Sequence, residues 1–468
     1  MKNLMRILLL VFVLTMGLNT GCNKTETNNS SSLTLQSYPG SIYHEWTSVF
    51  LETDRYASFY RPGPAPRALA YMALSAYEAC LGGMPDYQSL RYRLVISGLP
   101  EIKKDLYWPE VINASYGYLM QKFFENVTFK DKAGNILSTV EILNNIAAKE
   151  YELQATYDLE EEDDLIKRSK EHGKAVAEAI WIYSTTDKVG HNGHLNPFPK
   201  AVNAQGCEWV PTDLEVADKG LYSQWGEVRR FGLSRSDMDA LVAPYGCDSD
   251  KNSLIYSQAY ETYVLANQAR SNPKGELEHI SEFWSDDRVG LTFSPPARFI
   301  AVADQIVVDQ QFNLEKTCLL YAQLSMALND AAVIAWYNKY KFNVERPITY
   351  IQRVIDPKFT IPWLGFTPPF PAYPSGHATF AFSGVGIIEA FVGSSYPFTD
   401  FCHQNRTDFL GTPRSFNSLR DLAIENAFSR LPLGVHYRMD FDSGNFCGNS
   451  LCPKSTAASL EEIKIKIL

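Results

Sequence analysis

The sequence has no surplus of basic charge, few strand signals and no long apolar run after its N-terminus. With 43 Lys and Arg against 53 Asp and Glu, its net charge is −10, and no basic footprint for a nucleic-acid partner is present. No later stretch reaches the roughly 18 uninterrupted apolar residues that a membrane-spanning helix needs. No cysteine spacing is typical of a zinc site. What remains is a globular composition, 45% hydrophobic, with enough chain for one large core or two smaller ones.

The N-terminus has the features of an export signal rather than of folded structure. Basic residues precede a short apolar run, residues 7–14, which is followed by small residues before Cys22. Residues 1–22 resemble a bacterial lipoprotein signal with Gly21 before an acylated Cys22, and plain secretion is the alternative. Residues 23–40 are predicted to form a flexible tether. We therefore expect a lipid anchor on Cys22 and a location in the bacterial cell envelope, on its periplasmic or surface side.

Seven further cysteines follow Cys22. Disulfides persist in exported proteins, and we consider Cys207 with Cys247 and Cys447 with Cys452 as candidate pairs. An odd number of cysteines leaves at least one thiol unpaired.

Helical spacing of apolar residues recurs through most of the chain, so the predicted fold class is all-α. We expect a helical N-terminal region over residues 41–250 and a C-terminal helical bundle over residues 251–460. The predicted helices cover residues 42–53, 65–81, 106–126, 139–157, 165–185, 253–270, 298–310, 314–340, 350–354, 378–392 and 419–430.

Residues 189–246 are rich in glycine, proline and aromatic residues, which indicates ordered loops. His191 and His194 lie three residues apart there. We interpret them as loop histidines rather than as a metal-binding pair, because no acidic third ligand is nearby.

The first of three segments that carry chemistry contains Lys339 and Arg346. Seven residues separate them, so two turns of helix are expected to place both side chains on nearly one face. Pro347 disfavours helical geometry at Arg346, which predicts that the guanidinium lies where the helix ends. A lysine charge together with an arginine fork suits phosphate-like oxygens. Alone, this spacing is common on solvated helix faces.

The second segment reads Pro-Ser-Gly-His and directly precedes an apolar helical run. Ser375, Gly376 and His377 are expected in the first helical turn, where unpaired N–H groups and the helix dipole favour an anion. Gly376 allows close approach of the backbone, Ser375 has a hydroxyl to donate, and His377 is a candidate general acid or base. A nucleophilic serine is the competing role, but this segment is no G-x-S-x-G elbow.

The third segment begins at Arg430 and contains His436 and Asp440. Their four-residue spacing predicts that the carboxylate binds one imidazole nitrogen, which fixes the tautomer and leaves the other nitrogen as nucleophile or ligand. Ser429 is interpreted as structural, and Arg438 is expected to point away from His436.

In this order the three segments resemble the signatures of one superfamily. They match the K-x6-R-P, P-S-G-H and S-R-x5-H-x3-D patterns of type 2 phosphatidic-acid-phosphatase-like acid phosphatases and vanadium-dependent haloperoxidases. The resemblance implies helical bundles of that type. It also implies that His377 is the acid or base, that His436 is the vanadium ligand or the phosphohistidine nucleophile, and that Asp440 orients His436. The implied oxyanion-binding residues are Lys339, Arg346, Ser375, Gly376, Arg430 and His436.

The loop before the second segment resembles that of fungal vanadium chloroperoxidases. Phe370 of this sequence matches an aromatic residue that lies beside the halide site in those enzymes. Trp336 matches another residue of that pocket, although either ring would also suit a hydrophobic core. Glu345 departs from relatives that often have tryptophan there, and a carboxylate at this place is expected to weaken vanadate binding.

The favoured hypothesis is a vanadate-dependent haloperoxidase that uses hydrogen peroxide and halide. The alternatives are an acid phosphatase that hydrolyses phosphate monoesters without a cofactor, and a surface binding lipoprotein with a degenerate site. Vanadate mimics the five-coordinate transition state of phosphoryl transfer, so one site suits either chemistry.

Overall fold

A computed structural model describes residues 33–199, 206–212, 219–286, 288–362, 367–408 and 410–451. The predicted export signal with Cys22, and Cys452, lie outside these residues, so the lipid anchor and the Cys447–Cys452 pair stay predictions. The described residues pack as one compact unit. The division of the chain at residue 250 also stays a prediction.

The described residues are mainly helical, which confirms the all-α fold class. The helices are α1 (Ser41–Tyr56), α2 (Pro64–Cys80), α3 (Trp108–Phe124), α4 (Thr139–Tyr157), α5 (Asp163–Thr185), α6 (Lys188–His191), α7 (Arg235–Met238), α8 (Leu254–Ser271), α9 (Glu276–Phe283), α10 (Pro295–Asp309), α11 (Leu314–Phe342), α12 (Pro347–Val354), α13 (Gly376–Val392), α14 (Leu419–Phe428) and α15 (Arg438–Phe446). Short 3-10 turns cover Leu35–Ser37, Leu81–Gly83, Gly193–Leu195 and Trp225–Glu227, and a π turn covers Cys447–Leu451.

Two small antiparallel hairpins complete the described elements. Strands β1 (Phe129–Lys130) and β2 (Ile136–Leu137) pair with Phe129 opposite Leu137. Strands β3 (Phe398–Asp400) and β4 (Arg414–Phe416) pair with Phe398 opposite Phe416. Apolar periodicity did not predict either hairpin or the short helices α6, α7, α9 and α15, because elements this short show too few repeats of a pattern.

Capping residues account for several helix starts. Asn313, Ser253 and Ser418 each accept a hydrogen bond from a backbone N–H of the first turn of α11, α8 and α14, respectively. Proline occupies the first turn of α2, α3, α10 and α12, where its missing N–H costs no hydrogen bond. These local signals explain why the predicted boundaries of the long helices lie within a few residues of the observed ones.

Helix α11 is the centre of the fold. It packs against α2, α10 and α13, and α13 in turn packs against α14 and α15. Within the described residues, α11 alone is long and apolar enough to cross a bilayer, and 89% of its most apolar window is buried inside the protein. Because α11, α13 and α15 meet in the core, the three segments singled out above are brought together there.

Candidate active site

The end of helix α11 places Lys339 and Arg346 differently from the sequence-based expectation. The helix stops at Phe342, and Asn343 adopts a left-handed conformation with φ 48°. Arg346 is instead the N-cap of α12, with Pro347 as its first helical residue. The prediction that the two cations share one helix face was therefore wrong. Both side chains are nevertheless buried, at 0% exposure, and converge from two different helices.

The ammonium group of Lys339 is tied to the loop that precedes the second segment. Its Nζ donates hydrogen bonds to the carbonyl oxygens of Pro371, Ala372 and Pro374, at 2.9, 3.0 and 2.6 Å. It also lies 5.0 Å from the centre of the Phe370 ring. Lys339 thus holds this loop in position as well as adding positive charge, a role that its spacing from Arg346 did not suggest.

Arg346 contacts both the loop that precedes the second segment and the third segment. Its Nε donates to the Phe370 carbonyl at 3.0 Å, and its Nη1 donates to the Val435 carbonyl at 2.8 Å. The same Nη1 lies 3.2 Å from His436 Nε2. A guanidinium only donates, so Nε2 must be the accepting nitrogen of the imidazole. The proton of neutral His436 is consequently on Nδ1.

Asp440 accepts a hydrogen bond from the Nδ1–H group of His436. Asp440 Oδ2 lies 2.8 Å from His436 Nδ1 and also accepts the Tyr437 N–H at 3.0 Å. The hydrogen bond expected from the four-residue spacing is therefore present. Burial raises the pKa of Asp440, while the Tyr437 N–H and the charges of Lys339 and Arg346 oppose this shift.

His436 is held neutral by its surroundings. Burial lowers its pKa well below the usual value, and four nearby groups lower it further. These groups, in order of effect, are Arg346, Lys339, Arg430 and His377. A neutral imidazole with Nε2 as its lone-pair nitrogen is the form that serves as a nucleophile or as a metal ligand.

The second segment begins helix α13, and Ser375 is its N-cap. Ser375 Oγ accepts the Ala378 N–H at 3.3 Å, which leaves the hydroxyl proton to be donated. The Ser375 N–H binds the Asp440 carbonyl at 2.9 Å, so the second and third segments are joined directly. Gly376 and His377 occupy the first turn of α13, as predicted.

Helix α8 contributes two residues that the sequence analysis missed. Thr262 Oγ1 donates to the His436 carbonyl at 3.0 Å, and Gln258 Oε1 accepts the Met439 N–H at 2.8 Å. Together they fix the backbone on which His436 lies. The contacting pairs are more than 170 residues apart in sequence, so no spacing pattern marks them.

The contacts of Arg438 and Ser429 agree with their predicted roles, and the role of Arg430 stays a prediction. Arg438 pairs with Glu261 on α8, away from His436. Ser429 Oγ donates to the Asn426 carbonyl at 2.6 Å, a structural contact. Arg430 is buried at 1% exposure and close enough to His436 to lower the pKa of its imidazole.

The two aromatic residues assigned to a halide pocket contact each other. The rings of Trp336 and Phe370 lie 4.8 Å apart at an interplanar angle of 63°, and both are buried. The Lys339 ammonium lies 5.6 Å from the centre of the Trp336 ring. Their assignment to a halide pocket stays a prediction.

Glu345 forms an ion pair with Arg353, in which Glu345 Oε1 lies 2.6 Å from Arg353 Nη2. Cys247, which contacts the same carboxylate, forms a disulfide with Cys207, and this was one of the two candidate pairs. Burial raises the pKa of Glu345 to about 7, although Arg353 opposes the shift. Because Arg353 compensates its charge, Glu345 opposes an anion in the neighbouring site less than an isolated carboxylate would.

Comparisons with known proteins cover the part of the chain that contains the candidate site. A family model described as the VCPO second helical-bundle domain matches residues 319–366 and 355–462, which span all three segments. A vanadium chloroperoxidase of Curvularia inaequalis is 26% identical over 216 residues, covering 34% of this chain and 35% of that protein. A vanadium-dependent bromoperoxidase of Ascophyllum nodosum is 33% identical over 94 residues, covering 18% of this chain and 17% of that protein. These matches span about a third or less of the length of either curated relative.

Residues 319–462 are similar to the second helical-bundle domain of the vanadium haloperoxidases.

Two solved structures share the fold of this chain over most of its length. A bacterial vanadium-dependent iodoperoxidase superposes with a TM-score of 0.75 at 23% identity, covering 90% of this chain and 97% of that chain. A bacterial vanadium-dependent chloroperoxidase superposes with a TM-score of 0.61 at 13% identity, covering 87% and 95%. At these identities the comparison shows a shared haloperoxidase fold.

Proposed function

We propose that this protein is a vanadate-dependent haloperoxidase that oxidises halide with hydrogen peroxide. The observation that carries the proposal is the charge and protonation of the buried site. Lys339, Arg346 and Arg430 surround a neutral imidazole whose lone pair, on Nε2, faces Arg346 Nη1. Relatives named as vanadium haloperoxidases support the choice of vanadate among tetrahedral oxyanions.

The residues present fit vanadate. Three buried cations, Lys339, Arg346 and Arg430, lie near His436, and Oδ2 of the buried carboxylate Asp440 is already occupied by His436 and the Tyr437 N–H. This excess of donors and positive charge suits an oxyanion and disfavours a bare cation. The residues expected to hold it are Lys339, Arg346, Ser375, Gly376, Arg430 and, as the vanadium ligand, His436. Bound vanadate supplies activation of peroxide towards attack by halide.

The chain's own groups have separate tasks. Asp440 keeps the proton on Nδ1 of His436, so that Nε2 is available to bind. Arg346 Nη1 now contacts Nε2 at 3.2 Å, and we expect it to exchange this contact for an oxyanion oxygen. His377 lies in the first turn of α13 at 5% exposure, a position from which it would hold or release a proton at the rim of the site.

An acid phosphatase is the second candidate, and the same geometry supports it. Neutral His436 would attack phosphorus through Nε2, and His377 would protonate the leaving alcohol and then activate water. No cofactor is needed in that case.

A paired assay separates the two candidates. Protein incubated with vanadate is tested for peroxide-dependent iodination, bromination and chlorination of a reporter, and protein without vanadate is tested for hydrolysis of an aryl phosphate. We expect halogenation that His436→Ala abolishes. Phosphate release without halogenation would favour the phosphatase, and neither activity, with no binding of vanadate or phosphate, would favour a binding protein.

A matched pair of variants controls for general damage. Arg430→Gln removes a buried cation of the site, whereas Arg438→Gln removes a partly exposed arginine of the same segment that pairs with Glu261. We expect vanadate affinity to fall strongly in the first variant and to stay near the wild-type value in the second. Equal effects would contradict the assignment of Arg430.

A further inference from the structure

A small cavity of about 40 Å³ lies between helices α2, α3, α5 and α6. It is lined by residues 60, 64 and 67, by residues 122, 123, 125 and 126, and by residues 181, 190–192 and 194. A solvent-sized sphere needs about 10–15 Å³, so this space admits a few water molecules or one compact ion and excludes a larger organic molecule. None of these residues belongs to the oxyanion site, so the cavity has no role in the function proposed above.

Arg67 brings a buried positive charge to this cavity. Its side chain is 3% exposed, Nε lies 3.2 Å from Asp187 Oδ2, and Nη2 donates to the Ser184 carbonyl at 2.7 Å. Asp187 does not line the cavity, and its oxygens also accept the N–H groups of Gly190 and Arg229. Among the described residues no acceptor binds Nη1 of Arg67, and this nitrogen is not fully enclosed by protein atoms. Because a guanidinium nitrogen only donates, Nη1 has two N–H groups for an acceptor that enters the cavity.

Two histidines of the lining present further donors. Nδ1 of His191 and Nε2 of His194 are enclosed and have no partner among the described residues. An enclosed N–H group without an acceptor is costly, so the proton of each neutral imidazole lies on the opposite, accessible nitrogen. The groups that face a ligand are therefore the Nε2–H of His191 and the Nδ1–H of His194.

The acceptors of the lining are fewer and partly engaged. Glu125 is the one carboxylate among the lining residues, and Lys122 Nζ lies 3.0 Å from its Oε2. The side-chain amides of Asn126 and Asn192 donate as well as accept hydrogen bonds. Donors and positive charge thus exceed acceptors, which suits an anion.

Aromatic rings complete the walls and hold the two imidazoles. The His194 ring lies 5.5 Å from the Tyr60 ring, and the His191 ring lies 5.1 Å from the Trp181 ring, both edge to face. The Tyr60 hydroxyl donates to the Phe123 carbonyl at 3.1 Å, so it is not available to a ligand. The positions of both histidines are therefore fixed before any ligand enters.

We propose that this cavity binds one compact inorganic anion of about halide size, held by Arg67 Nη1, the Nε2–H of His191 and the Nδ1–H of His194. Water is the competing occupant. An anion gains more from these donors, because charge-assisted hydrogen bonds are roughly twice as strong as neutral ones. The proposal does not depend on the haloperoxidase function, since the two sites share no residue.

Protonation of the histidines is coupled to this binding. Burial, together with nearby Arg67 and His191, lowers the pKa of His194 to about 4. Burial and Arg67 also lower the pKa of His191, while Asp187 and Glu125 oppose that shift. A bound anion favours the charged imidazole and raises both pKa values, so the anion should bind more tightly as pH falls from about 7 to about 5.

The test uses bromide as the probe of the full-length protein. Bromide NMR linewidths give its dissociation constant in solution, and its anomalous scattering locates it in a crystal. We expect one bromide beside Arg67 Nη1, competition by chloride, and tighter binding at the lower pH. Water alone at this place, bromide at crystal concentration only, or an affinity that does not change with pH would each overturn the proposal.

A matched pair of histidine variants assigns the binding. His194→Gln should weaken bromide binding near pH 5 by at least about 10-fold and flatten its pH dependence. His44→Gln removes a half-exposed histidine of α1 that pairs with Asp304, and it should change neither property. Equal effects of the two variants would refute the role of His194.

Two arginine variants separate this cavity from the oxyanion site. Arg67→Gln should eliminate the bromide beside α2, whereas Arg430→Gln should retain it. Because Arg67→Gln also breaks the pair with Asp187, a thermal melt must show that the variant is folded, and His194→Gln decides the matter if it is not. Bromide retained beside α2 in folded Arg67→Gln would refute the assignment.

Discussion

Gly376 offers a test that separates ligand binding from folding. A Cβ atom built on Gly376 would lie 3.5 Å from the nearest atom of the Trp336 ring, which is an ordinary van der Waals contact. The protein itself therefore has room for alanine at this position. In a helix, replacing glycine by alanine commonly stabilises by about 0.5–1 kcal/mol, so Gly376→Ala should unfold at the same temperature as the wild type or slightly higher.

Anion binding should respond in the opposite direction. If an oxyanion approaches the first turn of α13, the added methyl group displaces it from the backbone N–H groups. Loss of one hydrogen bond to a charged group costs about 1.5–3 kcal/mol, which weakens binding by roughly 10- to 150-fold. The measurement is the dissociation constant for vanadate and for phosphate by calorimetry, together with a thermal melt.

Gly384 provides the contrasting control in the same helix. A Cβ atom there would lie 2.7 Å from the Phe299 side chain, so Gly384→Ala should lower the melting temperature. The folded fraction should still bind vanadate with wild-type affinity. Unchanged vanadate affinity in Gly376→Ala would refute close approach of the oxyanion to this backbone, and unfolding of that variant would refute the packing around Trp336.

Three further predictions concern the support of the site. Lys339→Gln should weaken vanadate binding and lower thermal stability, because Lys339 Nζ binds three carbonyl oxygens. Lys341 is an exposed neighbour paired with Asp239, so Lys341→Gln should change neither property. Equal effects of the two variants would contradict the role of Lys339. Thr262→Val leaves the buried His436 carbonyl without its hydrogen-bond donor, so we expect the free energy of unfolding in denaturant to fall by about 1–3 kcal/mol and vanadate to bind more weakly. An unaltered vanadate affinity would show that this contact has a structural role alone. The pKa of Glu345 in the folded state is raised to about 7, so the folded protein keeps the carboxyl proton at pH values where the unfolded chain has lost it. The contribution of Glu345 to stability therefore falls as pH rises from about 4.5 through 7. Glu345→Gln should make this part of the stability–pH curve flatter, and an identical curve would show that the carboxyl titrates normally.

Two local features of the candidate site were predicted from the sequence because their signals lie within a few residues. Pro-Ser-Gly-His before an apolar run predicts a capped helix start, and the spacing of His436 and Asp440 predicts their hydrogen bond; the structure shows both. Each depends on neighbours along one turn of chain. The three cations were identified for the same reason, since residue type and order alone carried the resemblance.

Tertiary structure decided how those residues support one another. The left-handed turn at Asn343 separates Lys339 from Arg346 and sends the two side chains to different parts of one loop, which a periodicity argument could not anticipate. Thr262 reaches the His436 carbonyl from 174 residues away, and Arg353 compensates the charge of Glu345. Hydrogen bonds and burial across such distances depend on how helices pack, and helix packing is not encoded in any short motif. The sequence by itself determined which groups are candidates for the chemistry, and the packing of α8, α11, α12, α13 and α15 determined their protonation, partners and support.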